Sequence, residues 1–144
     1  LGAELACPPE QLPEGMAVLS DKQADVLVEE MDAWLEQLEP LTSFILPSGN
    51  GPEAVMHLTR TVTRRLERTV LRLSEAEGEG SVRPLVLVYI NRLSDWLFVL
   101  GRWVCLGLGN DESLWMPLGR RGPENGAAEL IRKLSRSDDD FDHL

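Results

Sequence analysis

The stretch from Val82 to Leu106 is apolar almost all the way round a helix, and no other feature constrains the fold as strongly. Leu85, Val86, Leu87, Val88, Ile90, Leu93, Trp96, Leu97, Val99, Leu100, Trp103 and Val104 leave no continuous polar face. A helix of that kind has to be central in a bundle or sit at a subunit interface. Pro84 is compatible with it, because a proline in the first turn removes an N–H that has no intrahelical partner. Leu85 to Ile90 is β-branched enough for a buried strand, but the stripe continues through Trp96, which favours helix. That run stops at Asn91 and Arg92, short of the roughly 20 apolar residues of a membrane span.

Two amphipathic segments can wrap this helix. Ser20-Asp21-Lys22-Gln23 has the form of a capping box, and Ala24, Leu27, Val28, Met31, Leu35 and Leu38 follow at three- and four-residue steps. The pattern predicts a helix over about 20–38, ended by Pro40. Residues 41–51 then read as a loop with an apolar middle and a turn-rich end. Pro52 suits the first position of a second helix, with Asn50 or Gly51 as its cap. Val55, Leu58, Val62, Leu66, Thr69 and Leu73 are its expected core stripe, and 75–80, Glu/Gly-rich, is an expected flexible linker.

Beyond Gly107 to Gly109 the helical period is lost. Leu114-Trp115-Met116-Pro117 reads as an apolar plug against the bundle, and residues 119–144 as a flexible acidic tail. At the other end, Leu1 to Ala6 resembles the closing turn of a helix before Pro8-Pro9, with the expectation that residues precede Leu1.

Charge narrows the function. Fourteen Lys and Arg stand against 24 Asp and Glu, a net charge of −10, which excludes a general nucleic-acid binder, since that affinity needs distributed positive charge. Any phosphate ligand must be held locally. Cys7 and Cys105 are too few for a disulfide framework or a zinc site and read as reduced thiols of a cytoplasmic protein; no signal peptide or membrane segment is recognisable.

Within this acidic chain, Arg60, Arg64, Arg65 and Arg68 cluster on the second helix. At about 100° per residue, His57, Arg60, Arg64, Glu67 and Arg68 fall within an arc of roughly 100° opposite the apolar stripe. Arg60, Arg64 and Arg68 are i, i+4 neighbours that repel unless an anion or a carboxylate lies between them. Either the face is solvated, with ion pairs worth about 0–1 kcal/mol each, or it holds an oligophosphate through planar guanidiniums. On the third helix Asn91, Asp95, Phe98 and Arg102 share one side. They form either a satisfied structural network, with Asp95 meeting an arginine of the second helix, or a place where Asn91 reads a ligand's polar edge.

His57 has no spaced second ligand, so no metal site is identified from side chains. No phosphate loop, HExxH or GxSxG is present, and Ser94 has no suitably spaced histidine, which disfavours a protein nucleophile. Phe44, Trp34, Trp96 and Trp103 read individually as core packing.

Together, Thr42-Ser43-Phe44-Ile45-Leu46-Pro47-Ser48-Gly49, His57, Arg60-x-x-x-Arg64-Arg65-x-Glu67-Arg68 and Tyr89-Ile90-Asn91-Arg92-Leu93-Ser94-Asp95-Trp96-Leu97-Phe98 resemble the signature segments of PduO-type ATP:cob(I)alamin adenosyltransferases. The resemblance runs over about 1–118. It implies an all-α, up-and-down helical bundle that assembles as a homotrimer with sites between subunits. The implied reaction transfers the 5′-deoxyadenosyl group of ATP to cob(I)alamin, giving adenosylcobalamin and triphosphate. Carried over by motif, Arg64, Arg65, Glu67, Arg68 and Asn91 belong to the ATP site, with Arg64 stabilising the phosphate chain. Phe44 sits beneath the corrin of cob(II)alamin and helps displace its lower ligand, and Arg60 makes an inter-subunit ion pair. Mg²⁺ accompanies ATP, and the further partners implied are a cobalamin reductase and an adenosylcobalamin-dependent enzyme. The family's Thr/Gly/Asp-rich nucleotide loop has no counterpart in these 144 residues, and Pro-Ser-Gly replaces its usual Pro-Gly-Gly. The alternative reading is therefore a non-catalytic, corrinoid-binding or interaction derivative.

Overall fold

The computed structural model describes residues 1–49 and 51–116, so the tail expected over 119–144 and Pro117 of the apolar plug lie outside the described residues. The described residues are helical: α1 (Gly2–Leu5), a 3₁₀ turn (Pro9–Gln11), α2 (Asp21–Leu35), α3 (Pro52–Glu77) and α4 (Pro84–Gly107). The one extended pairing among them is an antiparallel bridge between Ile45 and Leu114.

α4 packs on both α2 and α3 and is the middle of the bundle, as its all-round apolar surface requires. Val86 and Ile90 are essentially sealed from solvent and form a core with Leu19, Val70 and Val82. Burying each such side chain contributes about 1.5–3 kcal/mol. Gly101 lets the two long helices approach, since a Cβ there would lie 3.3 Å from the Cβ of Met56. By length and composition α4 could cross a membrane, at a mean hydropathy of 1.2. The run of Leu85 to Ile90 thus understated the apolar length, which resumes beyond Arg92. Here part of that surface meets α2 and α3, and about a third of it is buried.

The capping box at Ser20 is present, with the Ser20 amide donating to Gln23 Oε1 at 2.9 Å. α2 stops at Leu35, three residues short of the expected end, and Leu35 is exposed. Two tryptophans of α4 meet one of α2: Trp34 stacks on Trp103 at 5.9 Å between ring centroids and lies tilted against Trp96 at 5.3 Å. Their indole N–H groups donate to Glu30 and Gln37, so these rings line a half-exposed seam and not the core. At the opposite end, Glu4 is buried, pairs with Arg83 at 2.7 Å and accepts the Leu19 amide at 3.1 Å.

Two expectations for the second helix are corrected. Glu75, Ala76 and Glu77 are not linker but the last turn of α3, because Glu and Ala are good helix formers; the break comes at Gly78, whose φ of +91° ends the helix. The expected core stripe mostly faces outward: Val55 is 53% exposed, Leu58 65% and Val62 45%. The side of α3 turned to α4 carries Glu53, Thr63 and Val70, all buried, with the partly buried Arg60 and Glu67 flanking them. Polar groups face α4 because it presents Asn91 for Glu67 and the Phe98 ring for Arg60.

Candidate functional site

α3 carries the arginine face on one rigid rod, and α4 supplies a partner for it. Arg64 Nη1 donates to Glu67 Oε2 within α3, and Asn91 Nδ2 of α4 donates to Glu67 Oε1 at 3.0 Å. One carboxylate thus gathers a guanidinium and an amide from two helices. The repulsion expected along Arg60, Arg64 and Arg68 is relieved in part by this pair. Arg60, one turn earlier, lies with its guanidinium carbon 5.2 Å from the Phe98 ring centroid, a cation–π distance. Its Nε is buried and lacks a hydrogen-bond partner among the described residues. Arg65 and Arg68 are exposed.

The network expected at Asp95 is not formed. Asp95 is exposed, so water can satisfy its carboxylate, and no hydrogen bond or ion pair joins it to the described residues. The polar contacts of this stretch are made instead by Asn91 with Glu67 and by Arg92 with Asp25 of α2, at 3.1 Å.

Phe44 is likewise not core: it is 78% exposed. Its loop is held beside the start of α3 by a short ladder with residues 113–115. Leu46 N–H donates to the Ser113 carbonyl at 2.8 Å, Trp115 N–H to the Phe44 carbonyl at 2.7 Å, and Ser43 Oγ to the Trp115 carbonyl at 2.8 Å. The Phe44 and Trp115 rings meet edge to face, 6.2 Å between centroids. Leu114, Trp115 and Met116 are therefore a half-exposed ledge, not the apolar plug expected. Gly49 closes the loop at a φ of +121°, where a Cβ would collide with the Glu53 carboxylate, so the glycine of Pro47-Ser48-Gly49 is the indispensable one.

Sequence reasoning missed what anchors this ladder. Arg102, 4% exposed, donates through Nε to Glu112 Oε1 at 2.7 Å and through Nη2 to the Glu39 carbonyl at 2.7 Å. It ties both ends of the irregular region to α4. The only clue was an arginine inside an apolar helix. Beside it, burial and then the hydrogen bond and charge of Glu53 push the Cys105 thiol up to about 11, and Asn110 O accepts from Sγ at 3.4 Å. His57 lines the same recess as Ile45 and Leu46. Desolvation, then the Arg60 charge, lowers its pKa against the opposing pull of Glu53 and Glu112. His57 and Arg64 are about 10 Å apart along the helix axis, so the recess lined by Ile45, Leu46 and His57 lies on the arginine-bearing side of α3.

A recess of about 480 Å³ lies elsewhere, at the junction of α1 with the α3–α4 turn. Glu4, Glu10, Glu77 and Glu79 line it, a sign of charge that repels phosphate.

A helical bundle with a guanidinium-rich face beside an exposed aromatic ledge is the class that fold and site define. The family model for cobalamin adenosyltransferase matches residues 1–104, and the chain belongs to that family. It is 36% identical over 120 residues to the human corrinoid adenosyltransferase MMAB, covering 81% of this chain and 46% of that protein. A cobalamin adenosyltransferase of Cupriavidus metallidurans is 39% identical over 119 residues, with 80% and 58% covered. Among solved structures, a variant of the PduO-type ATP:corrinoid adenosyltransferase from Lactobacillus reuteri, complexed with cobalamin and ATP, superimposes with a TM-score of 0.71 at 27% identity. That match covers 79% of this chain and 61% of the other. The chain spans about half the length of the relatives it matches.

Proposed function

We propose that this chain acts as an ATP:corrinoid adenosyltransferase that forms adenosylcobalamin. The observation that carries the reading is the convergence of Arg64 and Asn91 on Glu67 across two helices, on the most basic face of an acidic chain. That is a local anion site next to an exposed aromatic ring. ATP and cobalamin are the ligands of the Lactobacillus reuteri protein that this fold matches, and they fit the two halves of the site.

In the reaction, the electron pair of cob(I)alamin forms the cobalt–carbon bond to C5′ of ATP while the C5′–O bond breaks, and triphosphate leaves with the pair of the broken bond. The corrinoid is the nucleophile, so the protein's part is orientation and charge stabilisation. Arg64 bears the phosphate chain, with Arg65 and Arg68 beside it. Asn91 holds the nucleotide. Glu67 accepts hydrogen bonds but donates none, so it serves the site by holding Arg64 and Asn91 together. Phe44 meets the lower face of the corrin. Magnesium would ride on the phosphates; among the described residues no group of three or more His, Cys, Asp or Glu side chains could hold it, and no step passes through it.

Residues 1–118 constitute the adenosyltransferase unit, and a homotrimer is its assembly. Two features support assembly: the outward apolar stripe of Val55, Leu58 and Val62, and the Arg60 guanidinium, whose Nε no described residue satisfies. A carboxylate of a neighbouring subunit would pair with it. A cytoplasmic setting, with a reductase upstream and an adenosylcobalamin-dependent enzyme downstream, fits two free thiols. The test supplies the full-length protein with ATP and chemically reduced cobalamin. Appearance of the light-sensitive cobalt–carbon bond is the expected result; its absence would sink the proposal.

A further inference from the structure

We propose that Trp115, held by the buried Arg102 clamp, is a positioning residue for Phe44. The inference rests on the reading above, in which Phe44 meets the corrin, and concerns how an almost fully exposed ring keeps one orientation.

A phenylalanine 78% exposed on a loop has little packing to choose its rotamer. Among the described residues Phe44 has one aromatic neighbour, Trp115, whose ring lies edge to face with it at 6.2 Å. A contact of this geometry biases a rotamer by roughly two- to tenfold. The indole can provide it only if its own backbone is fixed. Three hydrogen bonds do that, two from the backbone ladder at Leu46 and Trp115 and one from Ser43 Oγ. Ladders this short do not persist alone in water, so something must hold their ends. Arg102 grips Glu112, just before one strand of the ladder, and the Glu39 carbonyl, before the other. Because Arg102 is 4% exposed and projects from the central helix α4, the ring pair takes its position from the bundle. Trp115 itself remains 41% exposed, which leaves its edge available to Phe44 instead of committed to the core.

The experiment uses the full-length protein with cob(II)alamin and saturating ATP. It reads the fraction of corrinoid that has lost its lower axial ligand, by electron paramagnetic resonance, alongside ATP affinity by calorimetry. Phe44→Ala is the reference. Trp115→Ala should lower that fraction by roughly two- to tenfold, leave ATP affinity within about twofold and keep the melting temperature near that of the parent. Trp115→Phe, which preserves an aromatic edge, should restore most of the signal. If Trp115→Ala does not fold, Ser43→Ala decides, since it removes only the hydroxyl that ties Trp115 and should shift the fraction the same way. A parental fraction in Trp115→Ala or Ser43→Ala, with Phe44→Ala defective, overturns the role of Trp115 alone. A parental fraction in Phe44→Ala overturns the reading of Phe44 and the present inference with it.

Discussion

The arginine face and the aromatic ledge are built in opposite ways. Arg64, Glu67 and Asn91 sit in the middle of two long helices whose backbones are satisfied by their own hydrogen bonds. Phe44 and Trp115 sit on irregular segments that keep their shape through a short ladder and one buried arginine. A site on helices tolerates the loss of a side chain without moving, whereas a site on loops fails when a remote anchor is cut. On the proposed function, phosphate recognition needs fixed charges, which the helices would provide, and the corrinoid half needs a ring that is exposed yet oriented, which an internal clamp would secure.

The largest effect expected is on the helical half. Arg64→Ala should lower the adenosylation rate by about 10²–10³-fold, the usual cost of removing one group that stabilises a developing anion. Its melting temperature should stay near that of the parent, since Arg64 is an exposed-side partner of Glu67. Retained activity would remove Arg64 from the site, and a large loss of stability would erase the contrast with the loop half.

Arg102→Ala should do the reverse, acting first on folding. Breaking a buried ion pair typically costs 3–5 kcal/mol, but Glu112 keeps 25% of its side-chain surface in water, so about 2 kcal/mol is expected. Urea unfolding measures this, and an unchanged midpoint would show that the ledge needs no anchor.

Thiol labelling sharpens the same point. With its pKa near 11 and its side chain buried, Cys105 should react about tenfold or more slowly than the partly exposed Cys7 at pH 8. Peptide mapping after timed alkylation reads both. In Arg102→Ala the protection of Cys105 should fall, because both lie in the recess under the loop.

The smallest effect is a pH dependence at His57. Its native pKa is below the ordinary 6.5, so on acidification the unfolded chain takes the proton first. Stability should therefore decline as the pH falls through about 6.5 toward the native value, and change no further from this group below it. His57→Gln should flatten that decline in denaturation curves at pH 7.5 and 5.5. A slope that survives the substitution would assign it to other groups.

Much of the helical half was legible in the residues. Pro52, Pro84, the Ser20 capping box and the apolar periodicities locate three helices. The i, i+4 arginines and Asn91 mark the face where Glu67 joins them. Less legible was which side of α3 turns inward. Amphipathicity says that one face prefers burial, yet Val55, Leu58 and Val62 face out, because burial also depends on what the neighbouring helix offers. The same limit explains Asp95, whose type suggested a network partner while its place on α4 left it in water. The ladder between residues 44–46 and 113–115 was invisible, since short non-helical segments carry no period and pair across a large sequence separation.

By itself the sequence determined the helices, the centrality of α4 and the concentration of guanidiniums on one rod, because local hydrogen bonding and side-chain period are properties of consecutive residues. Only the tertiary structure decided that Glu67 bridges Arg64 to Asn91, that α3 shows much of its apolar stripe to the outside, that Arg102 ties Glu112 and the Glu39 carbonyl to α4, and that Trp115 meets Phe44. Those are contacts between distant residues, set by how whole helices dock and by which buried charges must find partners when they do.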